Sequence, residues 1–394
     1  MKKIFFLAIS ATLLAAGCQK TEIINQVNPV GEPSMAFAAD MGKLTKAAES
    51  TGMDNLKTQD FKLWAYYAQD DPSRGATVNQ PYDGMVDELV FDTGDVWGTT
   101  KQHFWPGTGK ALKFFAVSGA TSTPTVNDNR TVLTISDFTV AHNAPDVDLM
   151  VADYVEAHQA SHNKNVPLHF RHALSKVEFL FANSEAGKNE ATEVYVQGMY
   201  VSGINTVGDL TATVTEGETE GTFTTNMAWT SLDTPQTFVG DYGAQQTDGT
   251  LPTISEEATN KDDYKATITE GGHMHLSTTY QKYTTWLVIP QDVKKAATEA
   301  TDGNEGTPAI DLKVTIKYVI GTRQFVSTFS LGGEVNAWAK NQYIKYNVNL
   351  TPNMIGFAPS VEDWTPVNRP NQGEQGDNGV NDPSNDGQDV GINN

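Results

Sequence analysis

Apolar and polar residues alternate along most of this chain, the period-two pattern of strands that lay one face on a core. Phe61, Leu63, Ala65 and Tyr67 share a face opposite Lys62, Trp64 and Tyr66, and Leu112, Phe114 and Ala116 stand against Lys113, Phe115 and Val117. A turn region rich in Pro, Asn and Asp, Thr121 to Arg130, leads to strands over Thr131–Ile135 and Asp148–Ala152. One long strand is expected over Leu168–Phe181. The second half continues with Glu193–Ile204, Leu210–Val214, Tyr283–Ile289, Leu312–Ile320 and Gln324–Ser330. Ile344, Tyr346, Val348 and Leu350 against Lys345, Asn347 and Asn349 give the cleanest half-buried strand. Helical spacing is almost absent, so the chain reads as all-β. The polar stretch from Glu156 to Asn165 is the expected linker, which divides the chain into domains at 47–165 and 166–364.

The two ends read differently. Lys2 and Lys3, the apolar run Ile4 to Leu14 and the small residues Ala15, Ala16 and Gly17 form an export signal over residues 1–17. The run is shorter than the roughly 20 apolar residues that cross about 30 Å of hydrocarbon. It ends on Cys18, a junction that resembles the lipobox of bacterial lipoproteins, with Cys18 as the lipidated residue and membrane anchor. Between Cys18 and Lys46, Met35, Phe37 and Ala39 line one face of a short strand. It is followed by a loop carrying Lys43 and Lys46 that invites a trypsin-like protease to cut before Ala47. From 365 to 394 the aliphatics are Val367, Val380, Val390 and Ile392, too few to hold a fold, and a disordered acidic tail is expected.

Charge and composition narrow the partners. In 394 residues, 27 Lys and Arg stand against 48 Asp and Glu, a net charge of −21, which repels a phosphate backbone and excludes nucleic acid. With 33 Gly and 17 Pro the chain is rich in turn residues, as β-sandwiches are. A lone cysteine excludes an internal disulfide or a thiolate metal cluster.

The patterns that would carry chemistry fail on inspection. Gly107-Thr108-Gly109-Lys110-Ala111 ends like a phosphate loop, but Phe104 replaces its first glycine and Ala111 its hydroxyl residue. His158 and His162 lie four apart without a helix or a following Glu, and His169 and His172 point to opposite faces of a strand. His273 and His275 share a face without a carboxylate of their own segment. Asp146 and Asp148 read as turn caps rather than an acid–base pair, and Asp382–Gly387 lacks the glutamate that closes a calcium loop. No metal, cofactor or catalytic residue is assigned, and no enzyme activity is expected.

Several separate segments, in order, carry a family resemblance: Phe61–Tyr67, Phe104-Trp105-Pro106 with Leu112–Ala116, Asp148–Ala152 and, most distinctively, His169-Phe170-Arg171-His172-Ala173-Leu174-Ser175-Lys176-Val177. With Trp338, Tyr343–Leu350, Ile355-Gly356-Phe357 and Ser360–Trp364, they resemble the fimbrillin family, pilins of type V pili in Bacteroidia. The resemblance implies two tandem transthyretin-like Greek-key β-sandwich domains, lipoprotein export to the cell outer membrane, and trimming by a trypsin-like maturation protease. On that model Lys46 stands at the cut, and Met35, Phe37 and Ala39 belong to the displaced strand, whose place a neighbouring pilin subunit fills by strand addition. The implied work is adhesion within a fimbrium, toward a host or bacterial surface ligand. The polar tail offers no donor strand, which fits a tip or accessory subunit as well as a spacer beyond a donor drawn from Tyr343 to Trp364. A second class competes: a glycan-binding outer-membrane surface lipoprotein, with seven tryptophans as stacking platforms.

Overall fold

The computed structural model describes residues 34–40, 60–93, 97–107, 109–140, 147–159, 165–189, 192–219, 221–240, 274–299, 306–321, 323–352 and 355–364. Cys18, Lys46, Ala47, His162, Asp146, His273 and the tail after Trp364 lie outside them. The described chain is built of strands. The first five are β1 (Ala36–Asp40), β2 (Phe61–Tyr67), β3 (Glu88–Asp92), β4 (Trp97–Thr99) and β5 (Ala111–Ser118). Next come β6 (Thr125–Val126), β7 (Val132–Thr139), β8 (Met150–Ala152), β9 (Val155–His158) and β10 (Asn165–His172). They are followed by β11 (Ser175–Ala182), β12 (Val194–Glu216), β13 (Phe223–Gly240) and β14 (Met274–His275). Then come β15 (Gln281–Val288), β16 (Gln291–Asp292), β17 (Lys294–Lys295), β18 (Ile310–Asp311) and β19 (Lys313–Ile320). The last four are β20 (Arg323–Ser330), β21 (Ala337–Trp338), β22 (Gln342–Leu350) and β23 (Ile355–Asp363).

The first sheet runs β2-β3-β4-β1-β10-β8-β5-β9, and β2 also pairs with β5. That extra pairing closes the sheet into a ring, with β9 beside β8 on the far edge of β5. Alternation then sorts β2 by parity. Phe61, Leu63, Ala65 and Tyr67 fill the ring, while Trp64 and Tyr66 pack outward with Phe115 and Val117. Both faces of β2 and β5 are therefore dry, which is why their polar face in the sequence is so weakly polar.

A second sheet, β15-β11-β22-β23, faces a third, β20-β19-β12-β7-β6, to which β13 and β14 are joined through β12. Val177, Phe179 and Phe181 of β11 and Ile344, Tyr346 and Val348 of β22 meet Met199, Val201, Val314 and Ile316 across this core. The long strand β12 replaces the two expected over Glu193–Ile204 and Leu210–Val214. It stays continuous by bulging between Val196 and Gly198 and between Ser202 and Ile204. Each bulge swaps the faces, so the buried set passes from Val194 and Val196 to Met199 and Val201 and back to Ile204, Leu210 and Ala212. At the second bulge Gly203 sits at φ +88, where a Cβ would also come within 3.3 Å of Leu312.

Two readings of the sequence are corrected. The single strand expected over Leu168–Phe181 is two, β10 in the ring and β11 in the second sheet. The break falls at Ala173 and Leu174, both fully buried where the sheets meet. Alternation alone runs through that corner unbroken, so it could not mark it. The expected linker begins instead with β9, which pairs with β5. The sheets also interleave along the chain, since β6 and β7 join the third sheet before β8 and β10 complete the ring, and no clean division falls at 165.

The outer face of the ring and the second sandwich share one core. Phe138 of β7, fully buried and 5.8 Å from the ring of Trp229, lies in this shared region. Phe138→Ala should cost about 3–5 kcal/mol. Because the core is continuous, thermal unfolding followed by near- and far-UV circular dichroism should shift as one transition. Two separated transitions would refute the shared core.

Candidate functional site

The strand β1 occupies a seat that the rest of the ring leaves between β4 and β10. It runs parallel to β10, from Ala36 opposite Asn165 to Asp40 opposite His169, and antiparallel to β4 at Phe37 opposite Trp97. Just before it, Ser34 bridges to Phe104 and the Met35 N–H donates to the His103 carbonyl at 2.8 Å. Five residues suffice for a strand here because the sequence alternates. Met35 and Phe37 point into the ring and are buried, Ala39 is half-buried against the same core, and Ala38 and Asp40 face out.

Phe37 is the anchor of this seat, 1 % exposed, with its ring edge-on to Phe114 at 6.2 Å. Phe114 in turn meets Trp105 at 6.4 Å, and Phe61 lies 5.2 Å from Trp97 and 5.0 Å from Phe170. Burying side chains such as Met35 and Phe37 contributes about 1.5–3 kcal/mol each. Without β1, the ring would be open between β4 and β10, with an apolar trench and unpaired β10 backbone on one side.

Polar contacts fasten both ends of the strand. At its entry, buried His103 holds Asp83 at 2.8 Å through Nδ1, and Lys101 reaches the same carboxylate at 2.8 Å. Burial opposes ionisation of Asp83, but the hydrogen bonds from Lys101 and His103 outweigh it and hold the carboxyl below its ordinary value. At the exit, His169 Nδ1 hydrogen-bonds the Asp40 carboxylate across the β1–β10 pair. That bond raises the His169 pKa against the opposing effect of burial. The sequence marked His169 only as a strand histidine; its partner lies 129 residues away.

The remaining sequence candidates are dispersed. His158 lies on β9, and His275 Nε2, on β14, contacts Glu193 just before β12. Among the described residues no cluster of metal-ligating side chains occurs. Gly107 and Gly109 have φ of +109 and +77, the backbone of a turn. Asp148 and His172, fully buried and 2.9 Å apart, make a pair that the sequence did not suggest, with Trp364 stacked on the imidazole at 3.6 Å. It bolts the end of β10 to the chain after β23. Six of the seven tryptophans are buried, and Trp229 is half-buried with its indole N–H donating to the Ala173 carbonyl. The six buried indoles leave no open face for a sugar ring.

The His169–Asp40 contact predicts a pH dependence. A raised folded-state pKa means that its stabilisation is present below the ordinary histidine value of 6.5 and is lost as pH rises through the folded value. Both partners are substantially exposed, so solvent limits the gain to about 0.2–1 kcal/mol. Asp40→Asn should therefore lower the melting temperature more at about pH 5.5 than at about pH 9. Equal shifts at both would refute the contact's role.

Comparison with known proteins follows the same architecture. A fimbrium subunit of Phocaeicola vulgatus, Fim1C, is 24 % identical over 208 residues, 49 % of this chain. The matched region spans 55 % of that relative, about half its length. A crystal structure of a fimbrial protein from Bacteroides vulgatus superposes with a TM-score of 0.51 at 17 % identity, covering 84 % of this chain and 99 % of the other. It shares the fold. The model of the fimbrillin-like family matches residues 45–364, and the chain belongs to that family.

Proposed function

We propose that this chain is a non-enzymatic fimbrial subunit of the cell surface that serves adhesion and receives a strand from a neighbouring subunit after proteolytic trimming. The observation that carries the reading is the seat of β1, a short strand near the start of the chain that closes the ring. It pairs with β4 at a single position and is followed by the basic stretch holding Lys43 and Lys46. Cutting after Lys46 separates Met35, Phe37 and Ala39 from the rest of the polypeptide. What was an intramolecular strand then dissociates, and its departure exposes β10 backbone and the trench around Phe114 and Trp105. A strand of a second subunit restores the lost hydrogen bonds and apolar contacts together, which is the logic of strand addition.

Export as a lipoprotein completes the reading. Cys18 carries the lipid and tethers the uncut protein to the outer membrane, and the same cut that empties the seat frees the subunit from its anchor. A trypsin-like protease suits the lysine at the cut. The family's place among fimbrial proteins supports this assignment. A donated strand would come from before Trp364, since the residues after it offer few aliphatics.

Two outcomes test this. Phe37→Asp places a carboxylate in an apolar trench, which costs several kcal/mol or expels the strand. The uncut variant should melt lower and be cut faster by trypsin between Lys43 and Ala47, yet assemble as well as the native protein once trimmed. Unchanged melting and cleavage would make the segment a mere tether. Separately, Cys18→Ala should abolish fatty-acid labelling and release the protein from membranes. Labelling that persists would remove the anchor from the reading.

A further inference from the structure

Edge strands expose unpaired N–H and C=O groups, and proteins blunt them with charge, proline or brevity. Most edges described here are blunted in this way. In the second sheet, β15 carries Lys282, and β23 carries Pro359, Glu362 and Asp363. In the third, β13 carries Asp233 and Pro235, and β6 has two residues directly after Pro124. Beside the ring, β9 contains Glu156.

The least blunted is β20. Among the described residues it pairs only with β19, over eight positions; its one charge, Arg323, stands at its first residue, and the rest reads Gln-Phe-Val-Ser-Thr-Phe-Ser without a proline. Val326 is 62 % exposed and Phe325 38 %, the latter stacked on Tyr318 at 5.5 Å. Every second residue of β20 turns its backbone donor and acceptor away from β19. An edge with no charge from Gln324 to Ser330 and with Val326 exposed, on a protein of net charge −21, is a feature that solubility alone would remove.

We propose that β20 pairs antiparallel with the β20 of a second copy of this chain, joining two third sheets edge to edge about a twofold axis. The sequence is self-complementary for such a pairing. About Ser327, Phe325 comes opposite the second copy's Phe329, Val326 opposite Thr328, and Gln324 opposite Ser330. Aromatic pairs and paired β-branched residues are the cross-strand combinations that stabilise sheets. The charges agree as well. Arg323 arrives at the far end of the other β20, beside Asp311, which accepts a hydrogen bond from Ser330 and lies 3.7 Å from the Lys313 ammonium. Twofold symmetry makes this contact twice, and the interface is isologous and closed. It is separate from the β1 seat and allows subunits, or the fibres they build, to associate side by side.

The test uses the uncut full chain carrying Cys18→Ala, so that β1 still fills its seat and no lipid is present. Sedimentation velocity over a concentration series should reveal a reversible dimer. Val326→Lys, at an exposed position, should weaken that dimer by about tenfold or more while leaving the melting temperature unchanged. In the same background, Ser327→Cys should form a disulfide-linked dimer under mild oxidation far faster than Thr278→Cys, because only the former sits opposite itself. A chain that stays monomeric throughout, a dimer indifferent to Val326→Lys, or equal crosslinking of the two cysteines would each overturn the proposal.

Discussion

The backbone of β10 facing β1 needs partners, and within this chain β1 supplies them. Five consecutive positions of β10, Asn165 to His169, stand opposite β1, and the ring that encloses Phe61, Phe114 and Phe170 is complete only because those positions are matched. Hydrogen bonding and side-chain burial are coupled here. Phe37 cannot leave its place against Phe114 without the strand withdrawing, and the strand cannot withdraw without orphaning amides beside an apolar floor. The seat is therefore occupied as a unit or not at all, and a five-residue peptide governs the closure of an eight-stranded sheet.

Much of the fold was legible in the sequence because the strands are short runs rich in apolar residues at alternate positions, even in β2 and β5, where a second core covers the other face. β2, β5, β19, β20 and β22 all fall on predicted segments, and the alternation of Met35, Phe37 and Ala39 pointed to β1. What escaped has physical reasons. Strand β3 sits in the turn-rich stretch after Tyr67 and fully buries only Val90, so it has too short an apolar stripe to stand out. Strand β13 exposes most of its residues and so lacks the apolar stripe that periodicity needs, being held by its long pairing with β12 instead. Among the site residues, the polar fastenings at each end of β1 join groups far apart in sequence. Neither His103 with Asp83 nor His169 with Asp40 leaves a local signature.

The shared core explains why the molecule does not divide where composition suggested. The hairpin of β12 and β13 reaches from the second sandwich to cover the outer face of the ring, and polar ties reinforce the contact. Arg171, itself paired with Asp153, donates to the Thr225 carbonyl, and the Tyr154 N–H donates to the Thr225 hydroxyl at 2.8 Å. Burial and the nearby Glu156 and Glu216 carboxylates push the Tyr154 phenol far above its ordinary value, so it stays neutral in this junction. A stiff coupling of this kind suits a subunit whose two halves must keep one geometry.

The parallel pairing of β1 with β10 has a consequence for the order of folding. The pair brings together residues 129 apart in sequence, so β1 must wait until the chain that forms its partner is available. Contacts of such long range close a large loop and form late, after more local hairpins such as β19 with β20 have collapsed. A contact absent from the folding transition state slows unfolding without speeding folding. The strand that completes the ring is thus a lock added at the end of folding, and removing it would leave the rate at which the rest of the chain folds almost untouched.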